Sequence, residues 1–518
     1  MAFVEGEAFR KIDIIHNKDS GRLFIFFFIA ALLGYAAILT SSCPYNDDYI
    51  RYVINHSCAG NVCESGRYAI PILEYIMFLS HMVCDATPLT QIVSCLALAF
   101  TATICVNIFC SKIDAFCGLF FANVVINPYM IENMIFRFDN MLMILALLCV
   151  ALAAYLSVCG DSRNVWPQTA LLLGSLLLYQ AALSAYFIVF LYLLMEDVSR
   201  GKKFSACWES TRGRIYTMAY TAILYLPIAY NINYAKRGQK LYDVSFSLDY
   251  LNVIMGRICC YFENIYNHWG HTHIGLIVSV FVVGFIVSFL AETWKNKSSY
   301  LDYIFRCIFL IALMFVFSLA PIGVTVFLNH AGAGVGKVAP RIIYTFGMTI
   351  AVILYKSSFL FKKIYFLRSL YKIFAAILFI WNLVFGNVVG NLLNQKCIIQ
   401  NSVSKDIADD LYTIKKTYEI LGVKIINGDT VVCNAMVNFI QEYPFLKLIL
   451  TNPWEGPIFS DILLKYNGRF FPRVQKGYPE DKKGAKKIRD RMWYDLYLLK
   501  NTLIIDMKDQ PLLLNSEK

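Results

Sequence analysis

Long apolar runs separated by short polar breaks dominate the chain. Arg22–Ser42 is the first run, and a bilayer crossing needs about 20 residues at roughly 1.5 Å each. It ends just before Tyr45-Asn46-Asp47-Asp48-Tyr49, which puts two carboxylates about where the chain leaves the lipid. Arg67–Cys84 is apolar but short and holds Pro71, Glu74 and His81, so it reads as a re-entrant or interfacial helix. Further runs follow at Pro88–Cys110, Ala115–Met130, Met141–Cys159, Val165–Tyr179, Ala182–Met195, Ile215–Ile232, His273–Ala291, Ile304–Leu328, Ile342–Tyr355 and Ile373–Leu392. The pattern predicts about eleven transmembrane helices, with an amphipathic helix near Leu248–Tyr266 in an outer loop. Beyond Asn394 the apolar runs stop. Ile407, Leu411, Ile414, Tyr418 and Leu421 have helical spacing, and Val423–Ile426, Leu446–Leu450 and Thr502–Met507 read as short strands. The expected architecture is mainly α: a polytopic membrane domain over 1–392 and a small α/β domain over 393–518.

Composition agrees. The 518 residues are 58% hydrophobic and only 16% charged, where soluble domains carry roughly 25% charge. A formal charge of +11 in such a chain reports orientation and anionic lipid, and no nucleic-acid partner is expected. Basic clusters at Arg200–Arg214, Lys295–Lys297 and Lys356–Lys372 fall on one side of the alternating runs, and the acidic loops on the other. The positive-inside rule then gives a cytoplasmic N-terminus, a retained first span and an outer C-terminal domain. The basic run Lys482–Arg491 opposes that placement, although long domains translocate largely regardless of charge. Many of the 16 cysteines lie in apolar runs as small buried hydrophobes. Cys58–Cys63 and Cys397–Cys433 are conceivable disulfides in an oxidising compartment.

Three polar groups converge on the outer rim. One is Asp47 and Asp48; its bland counterpart is a pair of solvated loop charges or a helix cap. The second is Glu132, Arg137 and Asp139, where the bland reading is an ion pair at a helix end. Arg137 lies about 140° around a helix from Glu132, so the two share no face. The third is Gly332–Arg341, whose glycines, Lys337 and Arg341 suit a phosphate as well as a plain connector. His268 and Trp269 suit an aromatic belt that touches a sugar or headgroup better than a metal site, because no matching Cys or carboxylate set accompanies them. Glu74 is a further candidate within its short helix.

The acidic pair after the first span, Gly66-Arg67 opening an apolar helix, Arg137-Phe138-Asp139 before a later span, Tyr179-Gln180-Ala181 and Pro340-Arg341 together resemble the phage-type O-antigen glucosyltransferases of serotype conversion. That family is similar in architecture to the GT-C membrane glycosyltransferases. The resemblance implies an inverting enzyme of the bacterial inner membrane. Its donor would be undecaprenyl-phosphate-glucose, its acceptor the O-antigen of lipopolysaccharide, and its working face periplasmic. It implies Asp47 or Asp48 as general base, with Arg67, Arg137, Lys337 and Arg341 on the donor phosphate. Glu132, Asp139, Glu74, His268 and Trp269 would line the substrate. No metal or other cofactor is expected. Transfer of another lipid-linked sugar to lipid A, or a lipid-linked sugar flippase, are the alternatives. A flippase should show inverted repeats, which the chain does not clearly display.

Overall fold

A computed structural model describes residues 18–41, 43–45, 48, 66–80, 84–110, 113–159, 165–232, 248–270, 272–327, 338–361, 365–426, 434–450 and 484–508. These fall into two compact units. The first takes the described residues up to Leu39, Gly66–Ser80 and those from Ala86 to Asn387; the second takes those of 40–48, 84–85 and Val388 onward.

The first unit is helical. Among the described residues, six helices are long and apolar enough to cross a membrane: Leu89–Phe109, Asn140–Val158, Gln180–Ser199, His273–Lys295, Tyr300–Leu319 and Phe366–Lys415. Six of the expected spans therefore meet the length and hydropathy of a crossing among the described residues, and the expected total of about eleven is not established by them. Ala69–Phe78, Phe116–Val125, Val165–Leu178 and Phe346–Phe361 are apolar but shorter. Ala69–Phe78, at ten residues, reaches only about 15 Å, half a hydrocarbon core. The expected crossing Ala115–Met130 breaks for a visible reason. The Asn127 side-chain carbonyl accepts from the backbone N–H of both Tyr129 and Met130, which ends one helix at Val125 and starts another at Met130.

The helices that surround this break come very close. A Cβ added at Gly347 would lie 2.0 Å from the Asn123 carbonyl, so only glycine allows that approach. Asn123 also accepts from Asn382, 2.9 Å away. The helices Ser184–Ser199 and Phe346–Phe361 run side by side in one direction. Ser184 meets Thr345 at one end, hydroxyl to hydroxyl at 2.8 Å. At the other end Lys356 Nζ lies 2.5 Å from Glu196 and 2.6 Å from Glu292, and Arg200 closes on Glu196 at 3.0 Å. Lys356 and Glu196 are both buried.

Leu248–Ile265 is the amphipathic helix that the sequence predicts, and it is turned inside out. Its polar stripe faces the protein: Arg257 donates to the Val326 carbonyl at 2.6 Å, Tyr261 to Ser318 at 2.7 Å and Asn264 to Val338 at 3.0 Å. Its exposed side carries the apolar Leu251, Met255, Cys259 and Phe262, then Tyr266, beside the polar Asn252 and Glu263.

The two compact units part at Asn387 and Val388, near the expected boundary at 392 and within a continuous helix. One helix runs from Tyr365 to Lys415. In the second unit its later turns carry Val403, Ile407, Leu411 and Ile414 onto a four-stranded sheet. The strands are β1 (Gly422–Ile426), β2 (Lys486–Asp490), β3 (Tyr494–Leu499) and β4 (Thr502–Met507), in the order β1-β4-β3-β2. β1 pairs parallel with β4, and the other pairs are antiparallel. The strands expected at Val423–Ile426 and Thr502–Met507 are present. The one expected at Leu446–Leu450 is instead a 3₁₀ turn, Pro444–Leu446, and a helical turn, Lys447–Leu450. Of the basic run, Lys486–Asp490 becomes β2 and Arg491 follows it, while Lys482 and Lys483 lie outside the described residues. Charges of this strand and of Arg491 are met by acids of the same unit: Arg489 and Arg491 on Asp410, and Lys487 on Asp490 and Asp495.

Candidate functional site

In the first unit, several of the expected residues gather around Glu132. The short helix Met130–Ile135 buries Glu132, and its carboxylate is gripped twice by one residue. The Arg341 backbone N–H donates to Oε2 at 2.8 Å, and the Arg341 guanidinium to Oε1 at 3.1 Å. Arg341 sits in the 3₁₀ turn Pro340–Ile342, where the proline fixes the entry angle. Its guanidinium also lies 5.5 Å from the Phe136 ring, and its carbonyl accepts the Tyr179 hydroxyl at 3.1 Å. Tyr179 in turn carries Arg67, whose guanidinium stands 4.9 Å over the ring. Arg67, Arg341, Glu132 and Asn133 are all in electrostatic or hydrogen-bonding reach of the Tyr179 hydroxyl.

Two cations and one carboxylate therefore share a rim of aromatic rings. A carboxylate held by its partner's backbone and side chain locks that guanidinium in place, and the second guanidinium lies against a ring instead of on that carboxylate. Arg67 Nε is buried and has no hydrogen-bond partner among the described residues. The segment after Glu132 is pinned from the helix Leu89–Phe109. Gln91 donates to the Met134 carbonyl at 3.1 Å, and Thr90 to the Arg137 carbonyl at 3.1 Å.

Arg137 and Asp139 are buried in the same turn, so the rim contains both, but the guanidinium that grips Glu132 is Arg341. Glu74 is buried on the inward face of Ala69–Phe78, whose Ile72, Tyr75 and Ile76 are exposed. His268 is wholly enclosed by rings: Trp269 at 4.7 Å, Trp381 at 5.3 Å, Phe385 at 5.4 Å and Tyr129 at 5.5 Å. Burial drives its pKa well below the usual imidazole value, which keeps the ring neutral. Tyr129 links this cage to the Glu132 helix. Lys337, Asp47 and the glycine run Gly332–Gly336 lie outside the described residues. So do Cys58, Cys63 and Cys433, the partners of the two conceivable disulfides.

Asp48 belongs to the second unit and is buried. Its carboxylate accepts the Tyr45 N–H at 3.1 Å while its own N–H donates to the Tyr45 carbonyl at 3.0 Å. The Tyr45 hydroxyl is fixed on the Ile449 carbonyl at 3.2 Å.

The family model described as Glucosyl transferase GtrII matches residues 36–355, more than half of the chain. The chain belongs to the GtrII glucosyl transferase family. A GtrII match that takes in Arg67, Glu132, Tyr179 and Arg341 bears out the resemblance read from the sequence. A relative from Salmonella phage P22, named as an uncharacterized 55.3 kDa protein in the gtrB 5' region, is 24% identical over 226 residues. That covers 40% of this chain and 45% of the relative, so the chain spans less than half the length of the curated relative it matches. No solved structure matches.

The residues missed in the sequence are the neutral ones. Gln91, Asn133 and Asn140 are buried at the rim. Gln91 carried a signal, as a carboxamide at the start of an otherwise apolar helix.

Proposed function

We propose that this GtrII member is an inverting, GT-C-like glucosyltransferase of the bacterial inner membrane. It moves glucose from undecaprenyl-phosphate-glucose to the O-antigen of lipopolysaccharide at the periplasmic face. The acceptor oxygen attacks the anomeric carbon, the bond from that carbon to the phosphate oxygen breaks, and undecaprenyl phosphate leaves with the electron pair. The acceptor proton passes to a carboxylate of the pair Asp47 and Asp48. Asp48 is already committed to the Tyr45 N–H, which favours Asp47 for that step. The leaving phosphate gains negative charge as the bond breaks, so a fixed cation stabilises the transition state more than the ground state.

The observation that carries this reading is the double grip of Arg341 on Glu132 beside a second guanidinium, Arg67, stacked on Tyr179. A self-neutralised pair would have no capacity for a lipid phosphate; this group keeps one cation in surplus. Arg137 and Lys337 are proposed as further phosphate ligands, and Asp139, Glu74, His268 and Trp269 as groups that shape the sugar's surroundings. The test is transfer from synthetic undecaprenyl-phosphate-glucose to O-antigen in proteoliposomes. Asp47→Asn should lower transfer about 100-fold or more, the range for losing a general base. Unchanged transfer in Asp47→Asn, Asp48→Asn and the double variant removes the proposed base. Movement of the intact lipid-linked sugar across the bilayer without transfer would favour the flippase.

A further inference from the structure

Three carboxamides lie buried around the turn between the Glu132 helix and the helix Asn140–Cys159: Gln91 at 1% exposure, and Asn133 and Asn140 at 0%. Each has one end held. Gln91 Nε2 donates to the Met134 carbonyl, Asn140 Oδ1 meets the Ser94 hydroxyl at 3.4 Å, and Asn133 Nδ2 meets the Met143 sulfur at 3.3 Å. The other end of each has no hydrogen-bond partner among the described residues: Gln91 Oε1, Asn133 Oδ1 and Asn140 Nδ2. Turning the Asn133 amide over would set its oxygen against the sulfur, an acceptor facing an acceptor, so the oxygen is the idle end. The Tyr344 hydroxyl is orphaned in the same sense, and its ring lies 5.8 Å from that of Tyr179.

Buried carboxamides with idle ends are costly and uncommon, and their clustering at one turn calls for a common cause. The orphaned set contains two acceptors and a donor. A phosphate offers only acceptors and would be repelled by the two carbonyl oxygens. A sugar hydroxyl both donates and accepts, so it complements the set. Asn133 also follows Glu132 in the chain, on the short helix whose Glu132 Arg341 grips. We propose that Asn133, with Gln91 and Asn140, forms a neutral subsite that reads the ring hydroxyls of the transferred hexose, while Arg341 and Arg67 take the phosphate. This rests on the glucosyl-transfer reading above and adds to it the residues that choose the sugar.

The experiment compares undecaprenyl-phosphate-glucose with its 2-, 3-, 4- and 6-deoxy analogues, using wild type, Asn133→Leu and Gln91→Met in proteoliposomes. The expected result is selective. Wild type loses about 10- to 100-fold in kcat/KM on one or two of the deoxy donors, the size of one buried hydrogen bond. Asn133→Leu shows that loss on the natural donor and no further loss on the matching analogue. Its thermal stability is unchanged or raised, because an unsatisfied buried amide has been removed. Additive losses in variant and analogue, equal losses on every donor, or full activity in Asn133→Leu each overturn the proposal. Destabilisation of Asn133→Leu with uniform loss would mean a structural water only, and also overturns it; Gln91→Met gives the same readout independently. Failure of wild type to transfer from any donor would instead sink the glucosyl-transfer reading itself, and this subsite with it.

Discussion

The two ends of the paired helices Ser184–Ser199 and Phe346–Phe361 carry opposite kinds of polar chemistry. They lie about 18 Å apart along the Ser184–Glu196 axis. At the Lys356 end, two cations meet two carboxylates, and Lys202 and Asp197 add a further closed pair at 2.6 Å. Every charge there is answered by a neighbour. At the Arg341 end, Arg341 grips Glu132, Arg67 stacks on Tyr179 instead of on that carboxylate, and the carboxamides Gln91, Asn133 and Asn140 keep idle ends. The difference separates a closed charge network from an incomplete one. Balanced charge holds helices together and has little to offer a ligand, whereas unbalanced charge in a ring-lined rim is tolerated where an anion completes it.

The strongest way to break the comparison is to unbalance the closed end. Lys356→Met leaves the buried Glu196 and the half-buried Glu292 to Arg200 alone and should destabilise the protein by about 3 kcal/mol. Thermal unfolding in detergent measures this, and adding Glu196→Gln and Glu292→Gln should restore much of the loss. An undisturbed melting temperature in Lys356→Met would show that the network holds nothing. At the Arg341 end, Arg341→Met should lower transfer about 100-fold, near 3 kcal/mol of transition-state stabilisation. It should also reduce stability, since Glu132 loses its partner. Arg67→Gln should lower transfer about tenfold and leave stability within about 0.5 kcal/mol, because Arg67 is only partly buried and holds no carboxylate. Equal stability loss at Arg67 and Lys356 would erase the distinction between the ends.

The smallest effect is on pH. His268 is buried neutral, so its folded pKa lies below the unfolded value near 6.5. The unfolded chain takes up a proton below about pH 6.5 while the folded one does not. Stability from this group is therefore complete above about pH 6.5 and falls by up to about 1.4 kcal/mol per unit as pH drops toward the folded pKa. His268→Phe should flatten that acid limb of the melting profile. A wild-type profile already flat from pH 7 to 5 would contradict it.

Much of the helical frame is legible because its signal is local. Leu89–Phe109, Asn140–Cys159 and His273–Lys295 each show an apolar run of sufficient length between polar ends. The Ala115–Met130 run hides its break because Asn127 acts through its side chain on the backbone, which a hydropathy pattern does not register. The apolar residues of Leu446–Leu450 fit strand or helix equally, and Pro444 starts the helical alternative. β2 was hidden in a basic run whose neutralising Asp410 lies about 80 residues earlier. The Glu132–Arg341 grip spans 209 residues, beyond the reach of any local pattern. Their individual candidacy could be read from charge at a membrane edge, but their partnership could not.

The inverted stripe of Leu248–Ile265 has a practical corollary for anyone preparing this protein. Between two spans, a stretch with charged and hydroxylated residues looks like an extramembrane loop that could be excised, or raised as a soluble antigen. Cut free of Val326, Ser318 and Val338, that peptide would show water an oily flank and a polar flank with lost acceptors. It should therefore come out of expression as aggregates or detergent-bound oligomers, and antibodies raised against it would also recognise the polar flank that the rest of the chain covers.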